Sequence, residues 1–170
     1  MRYLVVAFFL FTFSCKNVNV DKELLLIDSL ENIIAEAEMQ LNEIDIDALV
    51  ETTKVISADL DVLREHFDDS LEWELAKFLS EYNRINKSLG KYIKNNRYFK
   101  VELDYSKDQL TNLRNDLSKN ILSVDSFDVY IKVEAIAIEE LKTSIEGKIP
   151  LVKAGIAGYE KSKPRIKQII

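Results

Sequence analysis

Apolar side chains recur at alternating spacings of three and four residues along much of the chain, a pattern that predicts amphipathic α-helices. The first stripe of this kind runs from Ile27 to Ile44, and a second runs from Leu49 to Phe67. Residues 43–47 separate the stripes and are rich in acids, which predicts a turn there. Because this connection is short and the two helices are similar in length, we expect an antiparallel pair.

The middle of the chain has a less regular pattern. A third stripe spans residues 75–92, but it contains Gly90, which costs about 1 kcal/mol inside a helix. Asn95 and Asn96 then predict a helix stop. Over residues 97–105, apolar and polar residues alternate with the period of a strand. Since no second strand is predicted to pair with it, we interpret this stretch as an extended connector lying on the helices. A continued helix is the alternative.

Two further helical patterns follow, one over residues 110–117 and a longer one over 127–159. Within the longer one, Pro150 lacks a backbone N–H and its ring clashes with the preceding turn, so we expect a kink or break near residues 147–150. The chain has only 4 Gly and 2 Pro, which disfavours a loop-rich β fold. The patterns together predict an all-α, elongated, antiparallel bundle of about four to five helices.

The first fifteen residues have a different character. Arg2 supplies one positive charge, residues 3–13 are uncharged and mostly apolar, and Ser14 is a small residue before Cys15. This order is that of a secretory signal peptide. The apolar run is far shorter than the roughly 20 residues of a membrane-spanning helix, so we expect removal of residues 1–14. Cys15 is the only cysteine, so it has no intramolecular disulfide partner.

Thr12-Phe13-Ser14-Cys15 resembles the lipobox of bacterial lipoproteins. The resemblance implies a diacylglyceryl group on Cys15, which then becomes the mature N-terminus and anchors the chain to a membrane. Residues 15–20 would form the lipidated cysteine and its tether, and residues 21–170 the helical domain. Lys16 resembles the residue type associated with export to the outer membrane rather than retention in the inner one. An uncleaved anchor and a signal peptide cut elsewhere are the alternatives.

Charge is distributed unevenly along the chain. The formal net charge is -6, and this acidic balance argues against general nucleic-acid binding. Acids dominate residues 21–61, whereas residues 82–100 contain six bases and no acid. One interpretation is intramolecular, with an acidic first hairpin lying beside basic later elements. The other is a basic aromatic patch that binds an anionic envelope ligand or polymer. The candidate patch comprises Tyr82, Arg84, Lys87, Lys91, Lys94, Arg97, Tyr98 and Lys100.

The sequence contains no recognisable catalytic motif. No phosphate-binding loop, HExxH zinc helix or GxSxG nucleophile elbow occurs. The single histidine, His66, lacks the Glu-x-x-His spacing of metal sites in helical bundles. We therefore expect no enzyme, no metal and no cofactor. Residues 21–170 are similar in pattern to small all-helical lipoproteins of mostly uncharacterised role. The expectation is a membrane-anchored interaction or scaffold module with a protein or anionic envelope partner.

Overall fold

The computed structural model describes residues 20–66 and 72–170; the predicted signal peptide and the predicted lipidation at Cys15 lie outside them. The described elements are α1 (Asp21–Asn42), α2 (Ile46–His66), α3 (Trp73–Ser118) and α4 (Val124–Ile169). α1 and α2 follow one another as a single rod bent at residues 43–45, so three long rods make up the described part. The all-α prediction is confirmed. The predicted count of four to five helices is wrong, because α1 and α2 are two parts of one bent helix and the described part therefore has three.

The contacts of α1 and α2 with α3 show that both segments of the first rod run along the same helix in one direction. Arg114, near the end of α3, donates hydrogen bonds to Asp28 and Glu31 of α1. Tyr82, near the start of α3, donates one to Asp59 of α2. The whole first rod therefore runs antiparallel to α3. The expectation that α1 and α2 pair with each other is wrong, because each packs along a different half of the same neighbour.

The bend follows from a change of phase in the apolar pattern. Ile27, Ile34 and Leu41 are spaced by seven residues and buried, but the next buried residue of this series is Leu49, eight residues on. In an unbroken α-helix, one extra residue turns the following side chain by about 100°. The break at 43–45 restores the stripe to the core side, where Ile56 continues it. Asp45 begins the new segment by accepting a hydrogen bond from the Ala48 amide.

α3 is a single helix that passes through both the predicted stop and the predicted connector. Its core residues recur every seven positions without a change of phase. Asn96 occupies one of these core positions and is buried, so it cannot serve as a solvated cap. The helix stop at Asn95 and Asn96 and the extended conformation of residues 97–105 are therefore wrong, and the alternative of a continued helix is confirmed. The repeat consists of Tyr82, Leu89, Asn96, Leu103, Leu110 and Leu117.

α4 likewise continues through Pro150 and Pro164 without a break. Both prolines are exposed, so water can satisfy the carbonyl groups that lose an amide partner. Buried residues recur every seven positions on both sides of Pro150, and their packing holds the helix together. Of the kink or break expected near residues 147–150, the break is wrong, because the helix is continuous there. This repeat consists of Ile131, Ile138, Ile145, Val152, Tyr159 and Ile166.

α3 and α4 approach each other closely where α4 carries glycines. A Cβ atom built on Gly155 would lie 2.9 Å from Leu89 Cδ2, and one on Gly158 would lie 3.0 Å from Ile85 Cδ1. These contacts fix the antiparallel register of the two helices. They also bring their outward-facing side chains together along one surface.

Candidate interaction face on α3 and α4

The structure distributes the predicted basic aromatic patch over several sides of α3. Tyr82 is buried and donates a 2.7 Å hydrogen bond to Asp59 Oδ2. Burial and this hydrogen bond raise the pKa of the Tyr82 hydroxyl above its ordinary value. Its ring packs parallel to those of Phe78 and Tyr159. Tyr82 is thus a core residue that links three rods.

Three of the predicted bases do lie together. Arg84, Lys87 and Lys91 line a groove between α3 and α4, where Lys148 of α4 joins them. The groove has a volume of about 360 Å³ there, with Leu151 adding an exposed apolar wall. Lys148 was missed because sequence alone does not bring α4 beside this part of α3. We call this section the basic half of the groove.

The three remaining bases of the predicted patch project from different sides of α3. Lys94 lies seven residues after Lys87 and therefore on the same side of α3, at the edge of the groove. Lys100 lies nine residues after Lys91, or two and a half helical turns, so it points to the opposite side. Arg97 lies about 120° from Lys91 by the same reasoning. The predicted patch is therefore not a single surface.

Tyr98 belongs to a second section of the groove, which is acidic. It lines a pocket of about 320 Å³ together with Glu102 of α3 and with Glu134, Glu140 and Ser144 of α4. One carboxylate oxygen of Glu134 is buried without a hydrogen-bond partner in the described part of the chain. We call this section the acidic half. Both halves are lined by α3 and α4 residues alone, so the groove lies on the side away from the first rod.

Large apolar side chains are exposed along this surface, which we call the outer face. Tyr98, Val101 and Tyr105 of α3 are each more than half exposed. On α4, exposed residues recur at spacings of three and four, a second stripe beside the buried one. The prediction of a connector at 97–105 obscured the α3 part of this signal. The α4 stripe consists of Tyr130, Val133, Ala137, Glu140, Ser144, Gly147 and Leu151.

Ion pairs hold the opposite side of the bundle. Arg114 binds Asp28 and Glu31 at 2.6 and 2.8 Å, and the hydrogen bond to Asp28 is the main cause of the raised pKa of its guanidinium. Further pairs join α1 and the bend to α3 and α4. Within residues 20–66 and 72–170, the intramolecular interpretation thus holds for later bases, whereas the bases at 82–100 form no ion pair there. The further pairs are Glu38–Lys107, Glu36–Lys142 and Glu43–Lys153.

The charged side chains of the groove form no ion pairs with the part of the chain that the structure describes. Among residues 20–66 and 72–170, no carboxylate lies within 4.0 Å of Arg84, Lys87, Lys91 or Lys148. In the same ranges, the three glutamates of the acidic half have no cationic partner. A surface with unpaired charges of both signs and exposed aromatic rings is suited to contact with another macromolecule.

Residues 20–66 and 72–170 contain no group of three or more His, Cys, Asp and Glu side chains arranged to hold a metal ion. None of the four helices is both long enough and apolar enough to cross a bilayer. No protein-family model matches the chain, and neither curated proteins nor solved structures gave a significant match.

Proposed function

We propose that this protein is a lipid-anchored rod of the bacterial cell envelope that binds another macromolecule through its outer face. The observation that carries the proposal is the long groove between α3 and α4, with Tyr98 and Tyr105 along one wall and Val101 exposed between them on α3. Exposed aromatic rings supply binding energy because they remove large apolar areas from water at little cost in side-chain entropy. The function is thus binding or scaffolding rather than catalysis.

The proposed anchor rests on the lipobox at Cys15. Three acyl chains, as lipidated cysteines of this family carry, make release into water negligible, since each buried CH₂ contributes about 0.8 kcal/mol. A tether of residues 16–20 reaches at most about 17 Å. Val20 enters α1 at the end of the bundle where the loop between α3 and α4 also lies, because both line one pocket. We propose that this end lies at the membrane, with the outer membrane as its location.

The anchor is tested by acyl labelling and detergent phase partitioning of the wild type and of Cys15→Ala. We expect label and detergent partitioning in the wild type alone. Equal behaviour of the two proteins would remove the anchor from the proposal.

The binding face is tested separately, with a photo-crosslinking amino acid at position 105 in intact cells. The matched control carries it at Val55, which is also exposed but lies on the first rod. We expect a discrete crosslinked product from position 105 and none from position 55. Products from both positions, or from neither, would contradict a role for the outer face.

A second candidate function follows from the basic half alone, which has four cations within one groove and no carboxylate partner for them in the described ranges. Such a cluster attracts polyanions, and the attraction weakens with salt. The probe is polyphosphate. Replacing Arg84, Lys87 and Lys91 with Gln should weaken its binding at least tenfold. The same change at three exposed bases outside the groove, Lys119, Lys132 and Lys161, should have little effect.

A further inference from the structure

We propose that the partner of the outer face is a second copy of this chain, bound antiparallel across a two-fold axis at the level of Tyr98 and Ser144. This inference rests on the proposed function of the outer face and names its occupant. Four observations lead to it: the order of charges along α3, the matching order along α4, the exposed apolar residues between them, and the area of the surface.

Charge order on α3 is the first observation. Along the groove, the α3 bases Arg84, Lys87 and Lys91 precede Tyr98 and the acidic Glu102 follows it, so a second copy rotated by 180° brings opposite charges to the same end of the interface. Lys94 and Glu102 lie four residues before and after Tyr98, so Lys94 of one copy lies at the same level of the pair as Glu102 of the other. Lys91 and Tyr105 lie seven residues before and after it. The latter pair places an ammonium group over an aromatic ring, which is a favourable contact.

The same symmetry occurs independently on α4. Ser144 lies in the same pocket as Tyr98, and so at the same level of the bundle. Glu140 and Lys148 lie four residues before and after Ser144. Ala137 and Leu151 lie seven residues before and after it, which pairs an exposed leucine with a small apolar residue. One axis therefore brings opposite charges to the same level on both helices, and on α4 it also places a small side chain opposite a large one.

A parallel arrangement of the two copies gives the opposite result. It would stack the basic half on the basic half and the acidic half on the acidic half, and like charges in contact are repulsive. A two-fold axis also makes each favourable contact occur twice, because residue i of one copy meets residue j of the other and the reverse. Electrostatics therefore selects the antiparallel pair.

The area of the outer face is sufficient for a stable pair. The groove follows α3 from Arg84 to Tyr105, about 33 Å at 1.5 Å per residue. Two helices side by side are about 20 Å wide, so each copy contributes about 660 Å². Specific, stable complexes bury about 600 to 1,000 Å² per partner. The outer face lies in this range without any movement of the rods.

The experiment uses charge reversal in the full-length protein, extracted from membranes in mild detergent and studied by sedimentation equilibrium. We expect the wild type to be a dimer that dissociates more readily in high salt. Lys94→Glu should raise the dissociation constant at least tenfold, since it places like charges at the same level of the interface twice, once on each side of the axis. Adding Glu102→Lys to the same chain should restore the dimer. Lys22→Glu makes the same charge change on the first rod and should leave the dimer intact.

Disulfide trapping in intact membranes gives a second measurement. A cysteine in place of Tyr98 lies on the axis and should form a disulfide with its own copy, whereas one in place of Asp47 on the first rod should not. Equal trapping at both positions, a monomeric wild type, or no restoration by the double reversal would each overturn the antiparallel pair. If position 105 crosslinks a different protein and the wild type is monomeric, this inference fails while the proposed function stands. If position 105 gives no product, both fail.

Discussion

Tyr82 joins the three rods through a single side chain. Its hydroxyl donates to Asp59 of α2, while its ring lies against Phe78 of α3 and Tyr159 of α4. Because burial and the Asp59 carboxylate both disfavour the phenolate, the pKa of Tyr82 is raised in the folded protein. Unfolding exposes the hydroxyl, whose pKa then returns to about 10.

This raised pKa predicts a loss of stability in alkali. Above about pH 10 the unfolded chain releases the Tyr82 proton and the folded chain keeps it, so the free energy of unfolding falls as pH rises. The stabilisation is fully present below pH 10, and the slope reaches about 1.4 kcal/mol per pH unit for this group. Tyr82→Phe should lower stability at pH 7 by about 1.5 kcal/mol, for the lost hydrogen bond, and flatten the alkaline decline. Urea unfolding at pH 7 to 11 measures both; an unchanged slope would contradict the assignment.

Gly155 and Gly90 should respond differently to replacement by alanine, because only Gly155 lies where α3 and α4 touch. Alanine normally stabilises a helix by about 1 kcal/mol relative to glycine. At Gly90 no atom lies within 4 Å of the added Cβ, so Gly90→Ala should give this gain. At Gly155 the Cβ meets the buried Leu89 at 2.9 Å, and overpacking costs about 1 to 3 kcal/mol. Gly155→Ala should therefore lower stability or leave it unchanged in thermal unfolding. Equal gains at both sites would mean that the helices are farther apart.

At the scale of the elements, the sequence identifies core positions better than helix ends. The apolar stripe predicted from Ile27 to Ile44 is buried at all six of its positions. These are Ile27, Leu30, Ile34, Ala37, Leu41 and Ile44. Asn96 was mistaken for a helix stop because its side chain is usually solvated, although a heptad position places it in the core. Alternation at 97–105 resembled a strand because α3 exposes Val101 and Tyr105 on its second, outward stripe. When a helix has two apolar faces, the spacing of its apolar residues no longer follows a simple helical period within a short stretch of sequence.

Pairing of the helices required information that a local pattern does not contain. A short link at residues 43–47 fits an antiparallel turn as well as it fits a bend in one rod. The deciding signal is the eight-residue step from Leu41 to Leu49, which is meaningful only once the seven-residue repeats of α3 and α4 are known. For the same reason, Lys148 could not be assigned to the groove before the register of α3 and α4 was fixed.

Pro150 should destabilise α4, because it lies in the interior of this helix. Its ring removes one backbone hydrogen bond inside a continuous α4, and proline is about 3 kcal/mol less favourable than alanine in a helix interior. Because Pro150 is exposed and the core on both sides is already packed, Pro150→Ala should raise the free energy of unfolding by about 2 to 3 kcal/mol. Pro164→Ala should give a smaller gain, since the helix ends at Ile169. Urea unfolding provides the measurement. No gain at position 150 would indicate that α4 is interrupted there.

The whole molecule is a rod whose two ends differ. α3 is about 69 Å long at 1.5 Å per residue, with Trp73 at its start and the loop to α4 at its end. Val20 lies beside that loop, so Trp73 and the entry to the tether are at opposite ends. In an antiparallel pair centred on Tyr98, however, Trp73 of one copy lies at about the same level as Val20 of the other. A single anchored copy carries its membrane attachment at one end only, whereas a pair carries one at each.

Trp73, the only tryptophan, therefore reports on this arrangement. In vesicles with dansyl-labelled headgroups, the antiparallel pair should transfer energy from Trp73 to the lipid, because a tether of at most about 17 Å anchors the neighbouring end. Lys94→Glu, which separates the copies, should reduce the transfer, and adding Glu102→Lys should restore it. A control with Trp73→Phe and Ile121→Trp places the donor in the loop at the anchored end, where transfer should be strong with or without Lys94→Glu. Equal transfer from Trp73 before and after charge reversal would show that the rod meets the membrane in the same way whether or not it is paired.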